Sequence, residues 1–190
     1  MVNLYEVCNA LTMIPGGITS FCLSRSFYRK GLKTGNLKNF EYSAAVSSYT
    51  IVSIISIMYH MDCAIRGRNS AKSLMYLDYY AQQIAGLLHI LAWNSHKSTA
   101  GHIYVYILMM LMGRVMVDEQ KLFMTQCVMC AFTLKRHCLN PWWIMSMITR
   151  MASYKYNNQS IYHSIFHISV TYGFQTIWSR WLVGGNVGRT

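Results

Sequence analysis

The chain has 190 residues, the length of one ordinary domain, of which 53% are hydrophobic and only 12% charged. Its formal net charge of +11 does not indicate nucleic acid, because most Lys and Arg fall in short connections between apolar runs, where membrane proteins keep them. Of the six cysteines only Cys127 and Cys130 have Cys-x-x-Cys spacing. They lie in an apolar stretch with no second pair, which reads as packing and not as a zinc or redox site.

The uncharged runs decide the class. Residues 7–24, 42–61, 99–113 and 156–179 contain no Asp, Glu, Lys or Arg, and 73–96 contains only Asp78. A soluble helical bundle needs a charged stripe on most helices. These runs lack one, so the expected fold is all-α, a multi-pass transmembrane bundle forming one domain over 1–190. Met1 is followed by Glu6 with no basic stretch between them, so the first run reads as a retained helix and not as a cleaved signal peptide.

In chain order, helices are expected at about 4–24, 40–64, 73–93, 99–116, 122–134, 142–152 and 160–182. Pro15-Gly16-Gly17 predicts a kink or break in the first. A basic connection over 25–39 carries Arg25, Arg29, Lys30, Lys33 and Lys38, and Arg66, Arg68 and Lys72 sit in the next loop. With seven helices, ten of the 17 Lys and Arg fall on the side of the first connection and the C-terminus. That places the N-terminus outside or lumenal and the C-terminus in the cytosol. Trp142, Trp143, Tyr154, Tyr156 and Trp178 are expected at the membrane interfaces.

The same topology gathers four polar residues on the N-terminal side of the membrane. His60 ends the second helix, Asp78 opens the third, and His163 and His167 open the seventh. The last two, four residues apart, share one helical face. Three histidines with an open position suit a catalytic Zn2+. Asp78 is placed to orient a ligand or accept a proton. Ser56, one turn before His60, has a hydroxyl able to donate to a developing oxyanion or to Asp78. Plainer readings stand beside these: interhelical hydrogen bonds without metal for the histidines, pairing of Asp78 with Arg66, Arg68 or Lys72, and a bond from Ser56 to the carbonyl four residues earlier. His89, His96, His102 and His137 fit no pattern and are expected in packing or surface roles.

Ser56-x3-His60, Leu74-x3-Asp78 and Tyr162-His163-Ser164-Ile165-Phe166-His167 together resemble the CREST superfamily of seven-helix membrane proteins. The helix-opening text around His163 is most similar to the branch containing myomaker and the GPI-cleaving phospholipase A2. The resemblance runs from the second to the seventh predicted helix. It implies Zn2+ held by His60, His163 and His167, with Ser56 and Asp78 beside it. It also implies hydrolysis of an amide or ester bond of a membrane lipid, or, as in the myomaker group, a membrane-fusion core with a structural zinc. The expected partner is the bilayer or a lipid substrate, and the expected location is the plasma membrane ahead of the endoplasmic reticulum or Golgi. Two features depart from the branch. It commonly reads His-x-Cys-Asp where this chain has His60-Met61-Asp62-Cys63, and residues 184–190 contain none of the cysteines that can be lipidated in myomaker-like tails.

Overall fold

A computed structural model describes residues 2–93, 141–155 and 161–184. Among them the structure is entirely helical: α1 (Leu4–Thr34), α2 (Leu37–Arg66), α3 (Lys72–Trp93), α4 (Pro141–Lys155) and α5 (Ile161–Gly184). The helices expected over 99–116 and 122–134 lie outside the described residues. α1 and α2 are each long and apolar enough to cross a membrane.

The first two helices are longer than expected. The chain does not leave the helix at Ser24, because the basic stretch holds no proline and its first glycine, Gly31, stays in the helix packed against Phe40. The buried stripe of α1 continues through Ser24, Phe27 and Gly31 at helical spacing, while Arg25, Arg29 and Lys33 project outward. Gly35, at φ 65°, then closes the helix with its N–H on the Gly31 carbonyl. Asn36 starts α2 at once, its side chain accepting from the Lys38 N–H at 3.0 Å. The expected loop over 25–39 is therefore a two-residue turn between long helices.

Nor does Pro15 break α1. The two glycines after it serve contact instead. A Cβ on Gly16 would stand 2.6 Å from Thr171 Oγ1 and 3.2 Å from a Tyr49 ring carbon, and one on Gly17 would stand 3.1 Å from Ser53 Cβ. Small residues let the α1 backbone lie close to α2 and α5 together.

α1 packs on α2 and α5, α2 on α3, and α4 on α5. Ser24 and Ser43 bond reciprocally, each hydroxyl donating to the other's carbonyl at 3.0 and 2.9 Å. Contacts from Glu6 to His60 at one end and from Gly31 to Phe40 at the other make α1 and α2 antiparallel. Contacts from Asn9 to Ser164 and from Lys30 to Leu182 make α1 and α5 parallel. At the end away from the histidines, Phe27, Ala45, Val46, Ala92 and Trp178 form an apolar core. Trp178 is 1% exposed and meets Phe27 edge-on at 5.6 Å. It is a core residue and not the interfacial anchor expected from sequence, because it sits on the face of α5 that docks against α1 and α2. His89 also packs, between Phe174 and Trp178.

Candidate metal centre

Helical period brings the centre together. On α2 the buried face carries Ser56, Tyr59, His60 and Cys63. On α5, His163, Ser164 and His167 are buried one turn apart. The three rings meet, with centroids 5.1 Å apart for His60–His163 and His60–His167 and 4.5 Å for His163–His167. Their candidate ligand atoms all lie within 4.8 Å of one another, so this buried group can hold a metal ion.

Each ring is held from behind at Nδ1. His60 Nδ1 is 2.7 Å from Glu6 Oε2. His167 Nδ1 is 3.2 Å from the Asn9 carbonyl oxygen and 3.3 Å from Thr12 Oγ1. A carboxylate or carbonyl oxygen can only accept, so these two rings carry their proton on Nδ1 and present a lone pair on Nε2, the form a metal requires. Partners of this kind fix the orientation of ligand histidines. Asn9 ties the arrangement together: its side-chain oxygen accepts from Ser164 at 2.7 Å, and its amide donates to Glu6 at 3.3 Å.

His163 differs. Arg150 Nη1 lies 2.9 Å from its Nδ1, and Ser153 Oγ lies 3.5 Å away. A guanidinium only donates, so in this arrangement His163 accepts at Nδ1 and its proton sits on Nε2. To offer Nε2 as a ligand, the ring must turn its Nδ1–H to Ser153. Tetrahedral zinc, with Zn–N near 2.0–2.1 Å, holds its nitrogens roughly 3.4 Å apart. The donor set fits such an ion in chemistry and number, after the nitrogens close by up to about 1.4 Å and His163 leaves Arg150.

Asp78 is buried on α3, where Oδ2 accepts from Gln82 Nε2 at 2.9 Å. Ser56 stands beside it and Arg150 is near enough to act on its charge. Its Oδ1 is buried, and its polar neighbours among the described residues include Ser56 besides Gln82. No hydrogen bond joins Asp78 to the three histidines among the described residues. The basic residues expected to compete for Asp78 are engaged elsewhere or not paired with it: Arg66 pairs with Asp62 and Arg68 with Glu6. Cys63, next to Asp62, packs with Tyr59 and Ala71.

Glu6, Asn9 and Arg150 were not singled out by the sequence. The signal for Glu6 was available: it is the one charged group in the apolar part of α1, at the helix end that lies beside the His60 end of α2. Asn9, one turn later, carried no charge to mark it. Comparison with known protein families, curated proteins and solved structures returns no match.

Proposed function

We propose that the chain is a multi-pass membrane protein of the CREST type, closest to the myomaker and GPI-cleaving phospholipase branch, and that it uses Zn2+ to hydrolyse an amide or ester bond of a membrane lipid. The observation that carries the reading is the convergence of three buried histidines, two already oriented through Nδ1, inside a bundle whose polarity is inverted. The inner face of α1 bears Glu6, Asn9, Gly16, Gly17, Ser20 and Ser24, whereas Leu11, Ile14, Ile18 and Phe21 face outward. A water-soluble helix has the opposite pattern.

The helix directions support an odd number of crossings. α3 runs with α1, and α4 runs against α5, as Trp142 stacking on Tyr172 and Arg150 reaching His163 require. α3 therefore heads toward the end of the bundle from which α4 comes, which accommodates the seven-helix reading. The N-terminus outside, the C-terminus in the cytosol and a plasma-membrane location belong to the same proposal. α1 is about 46 Å long at 1.5 Å per residue, against roughly 30 Å of hydrocarbon. Its basic last turns therefore extend past the core and still mark the cytosolic side.

When bound, zinc supplies Lewis acidity toward a lipid carbonyl and activates water near neutral pH. The chain's own residues do the rest. Glu6 and Asn9 orient His60 and His167. Asp78, buried beside Ser56, would accept the proton released by water, and the Ser56 hydroxyl would donate to the developing oxyanion. The helix packing excludes bulk water from this layer, so a lipid enters sideways from the bilayer.

The test is zinc content of the chain purified in detergent, beside a His163→Ala, His167→Ala double variant, followed by incubation with ceramides, glycerophospholipids and GPI lipids. One zinc per chain, lost in the double variant together with turnover, is the expected result. A folded wild type without zinc removes the reading. The absence of a bond between Asp78 and the histidines favours a second reading, in which the zinc is structural and the protein remodels or fuses membranes. Zinc binding with no lipid product, and mixing of labelled cells that express the chain, would select it.

A further inference from the structure

Glu6 is fully buried, and its two oxygens do different things. Oε1 takes both Nε and Nη2 of Arg68, each at 3.1 Å. Oε2 takes His60 Nδ1 at 2.7 Å and the Asn9 amide at 3.3 Å. The first turn of α1 is also fixed to the end of α2, where the Asn3 N–H donates to the Ala64 carbonyl at 3.1 Å. A buried carboxylate needs a charge partner and a full set of hydrogen bonds, and Arg68 and Asn9 supply both.

We propose that Glu6 is the positioning residue of the metal centre, and that Arg68, from the turn between α2 and α3, anchors its Oε1 so that Oε2 is held in place to accept from His60 Nδ1. The inference rests on the zinc reading above. Accepting from Nδ1–H fixes the His60 tautomer, aims Nε2 at the shared point and makes that nitrogen more basic. The negative charge behind the ring also offsets part of the charge of an incoming dication. An amide side chain at position 6 lacks that charge and is free to donate to Nδ1, which would put the His60 proton on the nitrogen the metal needs. Metal affinity is thereby set by a residue 54 positions from the ligand it serves.

The experiment titrates Zn2+ against the full chain in detergent with a competing chelator, for wild type, Glu6→Gln and Glu6→Asp, and measures thermal unfolding of each in excess chelator. The zinc Kd is expected to rise about 10- to 100-fold in Glu6→Gln and about threefold or less in Glu6→Asp. Unfolding of the metal-free proteins is expected to stay close to wild type, which separates positioning from a purely structural role. If Glu6→Gln alone does not fold, the Glu6→Gln, Arg68→Met double variant also removes the half-buried cation that Glu6 pairs with and carries the same expectation. A zinc Kd unchanged by either substitution overturns the inference while leaving the metal reading intact. A folded wild type that binds no zinc overturns both.

Discussion

Arg150 sets the terms on which His163 enters the centre. Its guanidinium lies 2.9 Å from His163 Nδ1 and 5.3 Å from the centre of the Phe166 ring. As a fixed cation it opposes a dication in the same layer, and as a pure donor it keeps the His163 proton on Nε2. Arg150→Met is therefore expected to tighten zinc binding several-fold in a chelator competition. Weaker binding would mean that Arg150 supports the ring more than it opposes the ion. Asp78→Asn separates the two functional readings at the same scale: the hydrolase predicts zinc content unchanged and turnover reduced about 100-fold or more, the usual worth of a general base. The three histidines were legible because two share a helix face and the third falls on the same side of the membrane by helix count. Arg150 was not, since its place beside His163 depends on how α4 lies along α5, and no local pattern encodes that.

At the scale of helices, close approach of α1 to α5 depends on Gly16. Replacing it with Ala puts Cβ 2.6 Å from Thr171 Oγ1. Thr is β-branched and has little rotamer freedom in a helix, so the helices must separate. Overpacking of this kind costs about 1–3 kcal/mol, against a gain of up to about 1 kcal/mol in helix propensity. Gly16→Ala is expected to lower the unfolding temperature, and Thr171→Ala in the same chain to recover most of the loss. No recovery would place the strain against Tyr49 instead. Element boundaries were legible where a cap residue marked them and misread where charge was taken for a loop. Lys and Arg at positions 25–33 say which way a side chain faces water, whereas Gly35 says where the helix stops.

Among the described residues many polar side chains are buried and many apolar ones exposed, and whether those apolar faces meet lipid can be tested directly. Ile18 is 60% exposed on α1. In a protein surrounded by water, Ile18→Lys would be nearly neutral. In a bilayer, a charge near the middle of a helix costs about 2.5–3.5 kcal/mol on insertion scales. Loss of the Ile18→Lys variant from the membrane fraction is the expected outcome, and an unchanged distribution would count against the membrane reading. At this level the sequence speaks through the uncharged runs that repeat along the chain, and the structure adds two helices long and apolar enough to cross a membrane. The runs could not say which faces meet, since apolar residues stand on both the outer and the inner faces of the described helices. The order of assembly follows from the way α5 lies along α1. The reciprocal Ser24–Ser43 bonds allow α1 and α2 to pair as soon as both exist, yet two of the three histidines arrive only with α5. A chain stalled during synthesis before residue 161 would have its scaffold half-built and no place for an ion. Metal loading would then report that α5 has docked, and an ion bound there would act as a latch between α2 and α5.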